Sequence, residues 1–86
     1  MEQIIVNDCL VEESPSKVYG NAWWDKTTGT LRIELEWFMN GFSVGKRTVL
    51  GTVETKNQAL RNSFETMDIL KENYAPLLGN ETMLLP

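Results

Sequence analysis

The stretch from Thr30 to Leu50 limits the possible folds more than any other part of this chain. Leu31, Ile33, Leu35 and Trp37 alternate with Arg32, Glu34, Glu36 and Phe38, the two-residue period of a strand with one face buried. Asn40-Gly41 follows directly, and these residue types best tolerate the positive φ that a type I′ turn needs at both central positions. Phe42 to Leu50 then returns as the partner strand. A plain two-residue loop puts Glu34 opposite Arg47, Trp37 opposite Val44 and Leu31 opposite Leu50. That register turns Lys46 inward, its stem along Trp37 and its ammonium reaching for water. A bulge near Gly45 is the alternative.

Upstream, Lys17 to Asp25 reads as another strand, joined to the first through Lys26-Thr27-Thr28-Gly29. With Asp25 beside Thr30, Trp24 shares a face with Leu31, Ala22 with Ile33 and Val18 with Trp37. The opposite face carries Trp23 beside Arg32, Asn21 beside Glu34 and Tyr19 beside Glu36. Ile4-Ile5-Val6 suggests an edge strand within residues 1–11, weakened by Asn7-Asp8, and the Ser-Pro-Ser cluster marks residues 12–16 as a linker. After the meander of residues 17–50, a helix is expected over residues 55–74. Thr55 and Gln58 fit a capping box, and Pro76 stops the helix. Ala59, Leu60, Ser63, Phe64, Met67, Leu70 and Tyr74 form its sheet-facing stripe, while Ile69 points away. The tail, residues 75–86, is too apolar for a free end and is expected to fold back over the core or dock on a partner. The expected fold class is α+β: a three- to four-stranded antiparallel meander packed on one C-terminal α-helix.

Eighty-six residues make one small domain. The chain has no histidine and one cysteine, which excludes a Ser-His-Asp triad, a Cys-His couple, zinc sites built on His or paired Cys, and an internal disulfide. No cofactor is expected. No apolar run approaches the roughly 20 residues that cross a bilayer, and MEQIIVNDCLVEES has no basic leader region. The expectation is a soluble, cytoplasmic monomer or homodimer with no membrane partner. The net charge of −4 is uneven. Residues 1–25 contribute −4, residues 26–56 +2 and residues 57–86 −2, so the middle third is a basic island in an acidic chain.

Few residues suggest catalysis. Gly45-Lys46-Arg47-Thr48 partly matches a phosphate-binding loop, but Asn40 stands where its first glycine belongs, and the segment lies in a hairpin. Glu34 and Glu36 project from one face about 7 Å apart, a spacing usable for acid–base work. Arg32 and Arg47 beside them point instead to a solvated, ion-paired sheet face. Cys9 has no neighbouring cation and reads as a buried structural thiol. Asn80-Glu81-Thr82 is a formal glycosylation sequon without a secretory context. The chain is therefore expected not to be an enzyme. Its candidate site is the sheet face opposite the helix, with Tyr19, Trp23, Arg32, Glu34, Glu36, Phe38 and Arg47 as partner-binding residues. Tyr, Trp and Arg concentrate at binding hot spots because they bury large areas or form fork-like pairs. The plainer possibilities are that Trp23 stacks on Arg32 as a local cation–π pair, or lies beneath the N-terminal segment.

Two local resemblances bear on function. Arg47-Thr48-Val49-Leu50-Gly51-Thr52-Val53-Glu54-Thr55, running on to Ala59, resembles the end of the AP2 and integrase amino-terminal DNA-binding domains. There, a three-stranded sheet closes with R-x-x-L-G-T-Φ-x-T before a packed helix, and about residues 19–70 can be laid on that plan. This resemblance implies DNA reading by Trp23, Arg32 and Arg47, with Lys46 nearby. Glu34, Glu36 and the acidic total oppose a polyanion. The hairpin Glu36-Trp37-Phe38-Met39-Asn40-Gly41-Phe42-Ser43-Val44-Gly45-Lys46-Arg47 is similar to the N-G-x-S-V-G-x-R hairpin of a small anti-CRISPR family. That resemblance implies a sheet-plus-helices protein binding the backbone of a type I-F surveillance complex. The expected function is a non-enzymatic phage or mobile-element inhibitor that docks on a host protein or nucleoprotein complex, with an AP2/integrase-type DNA-binding domain as the alternative.

Overall fold

A computed structural model describes residues 1–14, 16–71 and 79–85. Strands β1 (Glu2–Glu12), β2 (Lys17–Asp25), β3 (Thr30–Met39) and β4 (Phe42–Thr52) precede helix α1 (Lys56–Leu70) and strand β5 (Gly79–Leu84). One five-stranded sheet contains them in the order β1-β2-β3-β4-β5. The first four strands are antiparallel. The fifth lies parallel to β4, the pairing that a helical crossover permits. Residues 79–84 of the tail thus extend the sheet rather than covering the core. Leu77, Leu78, Tyr74 and Pro76 lie outside the described residues.

The core follows from alternation. Leu31, Ile33, Leu35 and Trp37 are buried together with Val18, Ala22 and Trp24 of β2. The β2–β3 register has each expected pair, including Trp24 with Leu31 and Val18 with Trp37. Helix α1 lies across β1, β2 and β3, placing Ala59, Ser63 and Met67 against them. Ser63 is wholly buried, and its hydroxyl donates to Ala59 C=O at 2.7 Å, so this side chain is not stranded. Phe64, expected on the sheet-facing stripe, is exposed instead, whereas Ile69 is exposed as expected. Full burial is limited to the 59-63-67 line, with Leu60 and Leu70 partly buried against the core beside it, and position 64 falls outside that stripe. The helix starts with the expected capping box: Thr55 Oγ1 accepts from Gln58 N–H, and Gln58 Oε1 accepts from Thr55 N–H.

The β3–β4 hairpin departs from the plain register. Asn40 and Gly41 have φ of 52° and 82°, as a type I′ turn requires. Ser43 then pairs with Phe38 and Gly45 with Trp37, leaving Val44 as an extra residue. The bulge moves every later pair by one position. Glu34 faces Thr48 rather than Arg47, and Leu31 faces Gly51 rather than Leu50. Lys46, opposite Glu36, emerges on the face away from the helix, whereas Arg47, opposite Leu35, turns to the helix side and is half-buried. The bulge sets a glycine against the buried Trp37 indole and places Arg47 rather than Lys46 opposite Leu35. Arg47 lies in β4, beyond the strands that α1 crosses.

Candidate functional site

On the face away from the helix, the antiparallel register lines up Tyr19, Asn21 and Trp23 with Glu36, Glu34 and Arg32. Six of the seven expected residues share this surface, all half-exposed: Tyr19, Trp23, Arg32, Glu34, Glu36 and Phe38. Arg47 is the exception, and Lys46 takes its place beside Glu34. None of the six is sealed under another segment.

Two zones make up the surface. In the first, the Arg32 guanidinium carbon stands 3.9 Å from the centre of the Trp23 ring. Its Nη2 donates to Glu2 Oε1 at 3.0 Å and its Nη1 to Glu34 Oε2. Lys46 Nζ approaches the other oxygen of Glu34 at 3.8 Å. The Glu2 hydrogen bond, opposed by partial desolvation, raises the Arg32 pKa above its ordinary value. The same bond lowers that of Glu2. At the end of this zone, Asp25 accepts from the N–H of Thr27 at 2.8 Å and from the N-terminal ammonium at 3.2 Å. These contacts, the backbone bond foremost, hold its carboxyl below the usual aspartate value.

The second zone is a hollow of about 330 Å³ lined by Asp8, Tyr19, Asn21, Glu34, Glu36 and Phe38. Tyr19 and Phe38 meet edge to face with centroids 5.8 Å apart, an arrangement their ring quadrupoles favour. Glu36 Oε2 accepts from Ser43 Oγ at 2.7 Å. Asp8 reaches the rim because β1 slips register between Val6 and Cys9. There it adopts φ of 48°, and its N–H donates to Asn21 Oδ1 at 2.7 Å. Asp and Asn adopt this left-handed conformation more readily than other non-glycine residues.

The expected partner-binding set omits Asp8 and Glu2, and also Asn21 and Lys46, although the sequence pattern already places Asn21 on this face beside Glu34 and the DNA-binding resemblance puts Lys46 nearby. Asn7-Asp8, read as weakening a strand, was the available signal for Asp8, since a pair that spoils a regular strand suits a bulge. Glu2 carried no such signal, because its pairing depends on the β1–β2 register.

Glu34 is held by Arg32 and Lys46, and Glu36 by Ser43, so both carboxylates belong to the polar network of the sheet. Cys9, expected to be buried, is half-buried at the core margin opposite Gly20. Among the described residues no three His, Cys, Asp or Glu side chains are placed to hold a metal ion. No helix of the described residues is long and apolar enough to cross a membrane. No protein-family model, curated protein or solved structure matches this chain.

Proposed function

We propose that this chain is a small, non-enzymatic protein-binding module that docks on a host protein or nucleoprotein complex through the sheet face away from its helix. The carrying observation is the half-exposed Tyr19–Phe38 pair beside a hollow rimmed by Asp8, Glu34 and Glu36. Aromatic rings give contact area at low entropic cost, and an acidic rim favours a partner presenting basic or amide groups. An inhibitor role of the anti-CRISPR kind draws support from the hairpin resemblance. The same hairpin presents Phe42, 74% exposed, between half-exposed Met39 and Val44 at its tip. Duplex reading in the AP2 manner is the weaker proposal, because Arg32 is flanked by Glu2 and Glu34 and Arg47 turns to the helix side.

The test is binding to a purified type I-F surveillance complex and, separately, to duplex DNA at low salt. The expected outcome is a saturable complex with the former, weakened at least about tenfold by Tyr19→Ala or Phe42→Glu, and no DNA shift at micromolar protein. Failure to bind the complex removes the anti-CRISPR reading. The docking face itself is tested by cross-linking to host protein: identical partner sets for wild type and Trp23→Ala/Tyr19→Ala would leave it without a role.

A further inference from the structure

The two edges of the sheet are built differently. Edge strand β1 slips register between Ile4 and Val6, between Val6 and Cys9, and between Leu10 and Glu12, with Asp8 in a left-handed conformation. Such irregularities keep an edge from templating another strand. Edge strand β5 has no such protection. It pairs with β4 from Gly79 to Leu84 without a single register shift.

One hydrogen bond sets the phase of that free edge. Leu85 N–H donates to Leu50 C=O at 2.8 Å. In a strand, the backbone groups of alternate residues point to alternate sides. Leu85, Met83 and Glu81 therefore direct theirs toward β4, while Asn80, Thr82 and Leu84 direct their N–H and C=O groups outward. Thr82 is exposed, and Leu84 is 77% exposed.

We propose that β5 is a self-pairing edge, through which two copies of this chain join antiparallel about a two-fold axis at Thr82. The register follows from the phase. Hydrogen-bonded antiparallel pairs need an outward residue opposite an outward residue. Centring on Thr82 matches Thr82 with its own copy and Asn80 with Leu84 of the other chain, engaging all three outward residues. Centring on Glu81 engages only Asn80 and Thr82. Pairing of β5 onto β1 of another copy, which would extend without limit, meets the bulged edge. The identical-edge arrangement closes instead. This interface lies at the opposite sheet edge from the Asp8 hollow, so it stands independently of the docking reading.

Sedimentation velocity of the full chain over a micromolar to high-micromolar series tests the pairing. The expected result is a reversible rise from 9.8 kDa toward about twice that mass. Thr82→Pro removes an outward N–H while sparing the bonds to β4, and Leu84→Lys places a charge on an exposed edge position. Each is expected to raise the dissociation constant at least about tenfold, with circular dichroism confirming a folded chain. In a Cys9→Ser background, Thr82→Cys is expected to form a disulfide-linked dimer on mild oxidation. Paired Cα atoms about 5.5 Å apart lie within the range a disulfide spans, and Leu50→Cys in the same background is expected to form no disulfide-linked dimer. A wild-type chain monomeric throughout the series overturns the proposal. So does a dimer that both edge variants leave intact, or one that Thr82→Cys does not trap.

Discussion

The two hairpins that share β3 are built from similar material and behave differently. In β2–β3 the alternation runs unbroken, and every pair from Lys17–Phe38 to Trp24–Leu31 follows in step. In β3–β4 the same strand meets a partner that carries an extra residue, Val44, just before Gly45. The first hairpin therefore delivers Tyr19 and Trp23 to the open face where a simple count places them. The second exchanges Lys46 for Arg47. One inserted residue in a strand decides which charge a surface displays, because the side-chain period is two.

Their turns differ as well, and this gives the largest expected effect. Gly29 and Gly41 both have positive φ, 78° and 82°. A Cβ on Gly29 would lie 2.8 Å from Val53 C=O, whereas one on Gly41 would meet nothing within 4 Å. Gly29 is also tied in, donating to Asp25 C=O at 2.7 Å and accepting from Val53 N–H at 2.8 Å. Gly29→Ala is expected to cost about 2–3 kcal/mol, and Gly41→Ala about 1 kcal/mol, the backbone penalty alone. Urea midpoints of the two variants check this. Equal losses would mean that the β2–β3 turn is not anchored to the end of β4.

Arg32 sharpens the comparison from the open face, since it belongs to β3 and draws partners from three other strands' neighbourhoods: Trp23, Glu2 and, through Glu34, Lys46. Arg32→Ala is expected to cost about 1–2 kcal/mol at neutral pH, as a partly exposed network with one cation–π contact. The sign of its pH dependence follows from Glu2. A carboxyl whose folded pKa is lowered contributes stability above its unfolded value, near 4.5, and loses it as pH falls through the lowered folded value. The gap between wild type and Arg32→Ala should therefore narrow as the solution is acidified below that range. A gap constant with pH would assign the whole effect to ring stacking.

What the sequence makes legible follows the same division. The α+β class, the β2–β3 register, the Asn40-Gly41 turn and the Thr55–Gln58 cap are local patterns, each dictated by residues close together along the chain. The bulge at Val44 decides which β4 residues lie opposite Trp37 and Leu35, and no local pattern settles that. Asp8 reaches the hollow by a slip in β1 that only pairing with β2 defines. Strand β5 is hidden more deeply. An apolar tail is equally compatible with covering a core and with joining a sheet, and only the parallel pairing with β4 at the end of the meander decides between them.

The smallest effect bears most directly on the hairpin difference. Val44 is 38% exposed and has no partner position on β3. Deleting it leaves Phe38 facing Ser43 and Trp37 facing Gly45, with the Asn40-Gly41 turn unchanged, so the second hairpin becomes as regular as the first. Stability is expected to change by no more than about 1 kcal/mol, because a half-exposed valine is lost while a continuous ladder is gained. Lys46 should stay beside Glu34, observable as retained cross-strand proton contacts from Lys46 to Glu36 in NMR spectra. The register without a bulge predicts the reverse. There, deletion would shift every residue from Gly45 onward by one position and change which of Lys46 and Arg47 faces out. A deletion variant whose Lys46 contacts vanish, or one that unfolds, would mean that Val44 is a paired member of the strand and that the two hairpins differ for another reason.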